Sequence, residues 1–261
     1  MVGQQKLVNK FNSYTLTTLP HSIILLGDIG CGKHLLVNEL ATRLNVNVID
    51  ISKNISLDLL DEISNLATPT FYIIDASSLT ERNQNALLKF LEEPSVYAYI
   101  FILTTSKAIL LNTILNRCII FKFETYTKSE LRNFLNDEDE LILSICTTPG
   151  QVMSLHADNL KELQTLCNTI ITKMSTANYQ NTLSIVKKMN LKDEFDKFDI
   201  NIFFNVLLNE LLYLYTNTVD IKLYNMYLLV LKYRDRLTDS RLNKELFLEN
   251  FLTSLWEFSR Q

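Results

Sequence analysis

Two short stretches of the chain carry residue types that could do chemistry. The first is Gly27-Asp28-Ile29-Gly30-Cys31-Gly32-Lys33-His34, which follows an apolar run and opens a helical pattern. Glycines at this spacing let backbone N–H groups turn inward around phosphate oxygens. The helix N-terminus adds its dipole, and the lysine can reach terminal phosphates. Gly27, Gly30, Gly32, Lys33 and His34 are therefore candidate nucleotide-binding residues. The hydroxyl residue that normally follows the lysine and ligates Mg²⁺ is replaced by His34, a bulkier imidazole suited to other metals. The same residues also read as a glycine-rich strand-to-helix turn that holds nothing. The second stretch is the apolar run Phe71-Tyr72-Ile73-Ile74 ending in Asp75. An aspartate at a strand tip beside a phosphate loop can hold Mg²⁺ through water, and a following glutamate can activate a water for hydrolysis. Here the following residue is Ala76, which can neither orient nor deprotonate water. Asp75 thus fits either a magnesium holder or a turn former.

The elements that must position these residues fall into two textures. Up to about Phe123, short apolar runs alternate with helical patterns. Ser22–Leu26, Phe71–Asp75 and Tyr99–Leu103 read as strands buried on both faces, with weaker strands at Val46–Ile51 and Ile119–Phe123. Helical patterns cover Lys33–Leu44, Leu57–Leu66 and Glu81–Leu91, the last with Thr80 as N-cap. Such alternation predicts right-handed βαβ units in a parallel, doubly wound α/β layer. Beyond Phe123 only helical periodicity remains. Thr127-Lys-Ser-Glu130 spells a capping box. Thr148-Pro149-Gly150 punctuates the next region, and a helical pattern resumes from Val152. Amphipathic segments then run from about Asn159, including Ile202–Tyr215, Leu223–Tyr233 and Lys244–Trp256.

Composition sets outer bounds. The 261 residues are 47% hydrophobic and 21% charged, with 25 Lys+Arg against 29 Asp+Glu for a formal net charge of −4. That balance argues against affinity for nucleic acid through bulk positive charge, though not against a few placed donors. Five glycines and four prolines argue against low-complexity disorder and turn-rich sandwiches. Cys31, Cys118, Cys146 and Cys167 are mutually distant, which excludes a Cys-x-x-Cys pair and points to free thiols in a reducing, cytoplasmic setting. The N-terminal residues lack a signal-peptide pattern, and the most apolar run, Ile202–Leu214, is broken by Asn205, Asn209 and Glu210, so no membrane association is expected.

A third stretch carries a resemblance. Thr80-Glu-Arg-Asn-Gln84-Asn-Ala-Leu-Leu-Lys-Phe-Leu-Glu-Glu-Pro94, then Phe101-Ile-Leu-Thr-Thr105, then Asn116-Arg117-Cys118, resemble the AAA+ clamp-loader subunits of DNA replication, most like the delta-prime subunit of bacterial DNA polymerase III. Val2-Gly-Gln-Gln5, Leu19-Pro-His-Ser22 and Asn243–Leu252 extend the likeness over nearly the whole chain. The resemblance implies a P-loop parallel-sheet AAA+ domain over 1–124, a small helical lid over 125–158 and a C-terminal helical collar over 159–261. It implies that Arg117 matches the family's arginine finger, which reaches the γ-phosphate of ATP on a neighbouring subunit, although Asn116 replaces the family's serine. Read without the family, Arg117 is a surface arginine in an ion pair.

The family's own-site sensor arginine, following Pro-Gly, is here Gln151. With His34 and Ala76 this makes three losses at the chain's own ATP site, while the outward-directed Arg117 remains. The resemblance therefore implies a non-hydrolysing subunit that completes a neighbour's site and helps place a sliding clamp on primer-template DNA. Its partners would be tau/gamma-like ATPase subunits and a delta-like subunit. Alternatives are an active AAA+ motor subunit and a scaffold serving another complex. No cofactor is required on this reading, ATP or ADP held without hydrolysis stays open, and the compressed segment after Leu44 leaves no zinc module. Direct DNA contacts would fall to helix N-termini or to cations such as Arg82 and Lys89, which read equally as solvated surface.

Overall fold

The computed structural model describes residues 3–52, 68–135, 140–155, 157–176, 200–238 and 244–258. The helical pattern expected over Leu57–Leu66, and the residues Val2 and Asn243, lie outside them. The chain forms two compact units, 1–133 with 148–150, and 134–147 with 151–261.

The first unit is built on five strands: β1 (Ser22–Leu26), β2 (Asn47–Asp50), β3 (Thr70–Asp75), β4 (Ala98–Thr104) and β5 (Ile119–Lys122). All pair in parallel in the order β2-β3-β4-β1-β5. The three central strands are apolar because each face meets helices, so alternate side chains enter two separate cores. Ile23 and Leu25 of β1, Phe71 and Ile73 of β3, and Tyr99, Phe101 and Leu103 of β4 join one core. That core is closed by Phe11 of α1 (Gln5–Ser13) and by Leu36, Val37, Leu40 and Ala41 of α2 (Lys33–Leu44). Ile24, Tyr72, Ile74, Ile100 and Ile102 point the other way. They meet Leu87, Phe90 and Leu91 of α3 (Glu81–Glu92) and Ile114 of the one-turn α4 (Asn112–Leu115). The edge strands β2 and β5 are largely exposed, since each has a neighbour on one side only.

Local signals act as expected at most ends. Thr80 accepts a hydrogen bond from the Asn83 N–H and caps α3. Thr127 and Glu130 form a reciprocal capping box on α5 (Lys128–Arg132), whose hydrogen bonds hold the Glu130 carboxyl below its usual range. Several elements differ from the sequence reading, which has no counterpart for α1, for the one-turn α4 or for the helix over Glu140–Ile145. Helix α1 is missed because the segment is polar apart from Leu7, Val8 and Phe11, whose spacing makes only one narrow stripe. Helix α7 (Pro149–Ser154) opens at Pro149, three residues ahead of the expected Val152, since a proline at the first helical position forfeits no hydrogen bond.

The second unit contains α6 (Glu140–Ile145), most of α7, α8 (Ala157–Thr176), α9 (Ile200–Thr218), α10 (Ile221–Arg234) and α11 (Lys244–Phe258). Phe203, Phe204, Leu207 and Leu211 of α9, Val230 of α10 and Phe251 of α11 are fully buried, with Phe204 and Phe251 rings 4.7 Å apart. Asn205 anchors α9 to the end of α6 by donating to the Ile145 carbonyl at 2.8 Å. Among the described residues no helix is long and apolar enough to cross a membrane.

Candidate functional site

In a parallel sheet the carboxyl ends of the strands lie along one edge, and ligands bind there, where the strand order reverses. The loop after β1 sits on that edge between β4 and β5. Its first residue is tied to β4 by the Gly27 N–H donating to the Thr104 carbonyl at 3.0 Å. Gly30 (φ +79°) and Gly32 (φ +98°) take left-handed backbone conformations, which side-chain-bearing residues rarely adopt, and Gly32 turns the chain into α2.

The lysine of this loop is committed to the chain itself. The Lys33 ammonium donates to the carbonyls of Gly27 at 2.6 Å and Asp28 at 2.8 Å, and contacts Cys31 Sγ at 3.8 Å. An ammonium has three donors, and all three are directed to the loop. The outer face of the loop is also bonded: Thr148 Oγ1 donates to the Ile29 carbonyl at 2.9 Å and the Gly150 N–H to the Gly30 carbonyl at 3.0 Å. The two backbones approach so closely that a Cβ on Gly150 would stand 2.6 Å from Gly30 Cα. Tyr126 donates to the Cys31 carbonyl at 2.7 Å, and burial above all pushes its hydroxyl up to about 12. Burial likewise raises the Cys31 thiol, against the lowering effect of the Lys33 ammonium.

The remaining residues expected around this loop are placed as follows. His34 is exposed in the first turn of α2, with Nε2 3.9 Å from Asp50 Oδ2 at the end of β2. Asp75 ends β3 and caps the following turn, its Oδ1 accepting from the Ser77 N–H at 2.9 Å and hydroxyl at 2.7 Å. Ala76 is fully buried in the core beneath α3. In the second unit, Gln151 Oε1 reaches back to accept from the Thr147 N–H at 2.9 Å and its hydroxyl at 3.1 Å.

Arg117 occupies a different kind of place. It follows the single turn of α4, and its N–H donates to the Ile114 carbonyl. Nη1 donates to the Thr113 carbonyl at 2.9 Å, and Nη2 forms an ion pair with Glu92 Oε1 at the C-terminal end of α3. These contacts use two of the five guanidinium N–H donors, and the side chain is 34% exposed. The turn bearing Arg117 is held from below by Gln84, which is 5% exposed in α3. Its amide donates to the Ile109 carbonyl at 3.0 Å and accepts from the Leu111 N–H at 2.8 Å, immediately ahead of α4. One helix therefore fixes the Arg117 turn twice, through Gln84 near its start and Glu92 at its end.

Sequence reasoning did not assign either role. A signal existed for both: Gln84 stands in register with the apolar stripe of Leu87 and Leu91, and Glu92 is an acid at the negative end of a helix dipole, where a cation is favoured. Burial also raises the adjoining Cys118 thiol, up to about 12.

Comparison with known proteins places this geometry. Residues 52–127, which include Asp75, α3 and Arg117, match the family described as DNA polymerase III, delta subunit. The chain is 26% identical over 238 residues to the DNA polymerase III gamma subunit of Buchnera aphidicola subsp. Schizaphis graminum, covering 75% of this chain and 64% of that one. It is 29% identical over 122 residues to the delta-prime subunit of Escherichia coli K12, covering 43% of this chain and 36% of that one. It spans less than two thirds of the length of these relatives. The fold is shared with the Holliday junction branch migration motor RuvB of Thermotoga maritima (TM-score 0.51, 20% identity, 82% of this chain and 78% of that one). The chain is thus similar to gamma and delta-prime subunits of DNA polymerase III, and it shares the fold of RuvB.

Proposed function

We propose that this chain is a non-hydrolysing clamp-loader subunit that lends Arg117 to the ATP site of a neighbouring gamma-type subunit. On this reading the first unit carries the AAA+ sheet, residues 125–158 act as a lid, and the helices beyond 159 form a collar with other subunits. The complex would open a sliding clamp and place it on primer-template DNA in the cytoplasm.

The observation that supports this reading is a difference in donor use. Lys33 directs all three ammonium donors into its own loop. Arg117 keeps three N–H donors beyond those used by Thr113 and Glu92, on a partly exposed side chain held in place by a neighbouring helix. A guanidinium with spare planar donors suits the spread charge of a transferring phosphoryl group, and such fingers are worth about 10³–10⁵ in rate. The buried Ala76 and the imidazole of His34 supply neither a water-activating carboxylate nor a hydroxyl for Mg²⁺. Any nucleotide held at Gly27, Gly30, Gly32 and Lys33 would therefore be bound weakly, with little dependence on Mg²⁺.

A second reading, an active AAA+ motor subunit, is favoured by the retained Lys33 and by the wider match to a gamma subunit. The two are separated by assaying ATP turnover of the purified chain alone and with gamma-type subunits. The proposal expects none from the chain alone; turnover that vanishes with Lys33→Ala would assign the motor role instead.

A further inference from the structure

We infer that Glu92 is the positioning residue for Arg117: its carboxylate fixes the guanidinium on the outer face of α3, ready for a triphosphate carried by another chain. The inference rests on the trans role of Arg117 proposed above. Arginine ends a long, flexible side chain, and a finger that samples many rotamers meets its phosphate in the wrong place most of the time. Here the planar fork is held at two points. Nη1 is tied to Thr113 within the Arg117 turn itself, and Nη2 is tied to Glu92 on a separate helix.

The carboxylate is itself precisely located, because Glu92 closes the last turn of α3, whose N-terminus is capped by Thr80 and whose apolar face is buried through Leu87 and Leu91. Gln84 on the same helix holds the backbone at Ile109 and Leu111, so the helix sets both the height of the turn and the direction of its arginine. The placement of Glu92 is otherwise unfavourable, since an acid at a helix C-terminus opposes the dipole. An ion pair with the carboxylate 52% exposed adds little to stability, so its worth lies in geometry.

The test is a kinetic cycle in the complex reconstituted with gamma-type ATPase subunits, comparing Glu92→Ala, Glu92→Gln, Arg117→Ala and the Glu92→Ala/Arg117→Ala double variant. Glu92→Ala is expected to lower kcat for ATP roughly 10-fold with KM and thermal midpoint unchanged, the loss typical of a misaligned group. Glu92→Gln, which keeps an oxygen acceptor, is expected to recover most of it. The double variant should be no slower than Arg117→Ala, because Glu92 acts only through Arg117. Wild-type turnover in Glu92→Ala beside a slow Arg117→Ala would overturn the positioning role and leave the finger standing. So would a double variant slower by the product of the two losses, or Glu92→Gln as slow as Glu92→Ala. Unchanged turnover in Arg117→Ala would remove the finger, and the positioning role with it.

Discussion

The loop after β1 and the turn after α4 are assembled from similar parts: a cation and backbone carbonyls. They differ in what the cation has left to offer. Lys33 is turned back on Gly27, Asp28 and Cys31, and the loop is bonded on its outer face by Thr148 and Gly150. Arg117 is gripped by Glu92 and Thr113, yet most of its donors remain available on a partly exposed side chain. On the proposed function, the loop backbone persists as a structural joint while His34 and Ala76 replace the groups that would do chemistry. Arg117, the cation proposed to act, sits where a second helix holds it.

Perturbing each region separately sharpens this contrast. The largest overall effect is expected from Gln84→Leu. It strands the half-buried Ile109 carbonyl and Leu111 N–H, at about 2 kcal/mol in urea unfolding. Because the Arg117 turn loses its support, turnover of the reconstituted complex should fall as well; full turnover would break the link between α3 and the finger. Gly30→Ala places a Cβ in a left-handed conformation 2.9 Å from Gly150 Cα and Thr148 Oγ1, at a cost of about 2 kcal/mol. Its urea midpoint should drop while turnover of the complex holds, because the proposed function gives this loop no part in hydrolysis.

Smaller effects test the frame that both regions share. Thr80→Ala removes the α3 cap and should cost about 1 kcal/mol. At alkaline pH both regions should weaken together. Cys118 beside Arg117 ionises near 9.0 when unfolded and near 12 when folded, and Tyr126 against the loop moves from 10.0 to about 12. In each case folding favours the protonated form. The contribution is therefore complete below the unfolded value and is lost as pH rises toward 12. A urea midpoint that is flat from pH 7 to 9, then declines, is the expected record. Tyr126→Phe should make the decline shallower above pH 10.

How far the sequence could be read follows the same physics. The three central strands were legible because a strand buried on both faces must be continuously apolar, and the capping box of Thr127 and Glu130 is a purely local signal. Helix α1 was not, since its contribution to the core rests on Phe11 with partial help from Leu7 and Val8. At the site, the glycine spacing and the motif around Arg117 were visible, but the partners of Arg117 were not. Periodicity reports which face is buried, whereas the Gln84 and Glu92 bonds join residues 25 or more positions apart in the chain. A polar residue inside an apolar stripe and an acid at a helix C-terminus were the only traces these bonds left in the sequence.

On the proposed function, ATP turnover of the complex depends on Arg117 and is indifferent to Lys33. ATP hydrolysis by the complex with gamma-type subunits, measured with Arg117→Ala and Lys33→Ala side by side, tests it most directly. The expected result is a loss of about 10³-fold at the site completed by Arg117, and unchanged turnover with Lys33→Ala. Full activity without Arg117, or collapse of activity without Lys33, would contradict it.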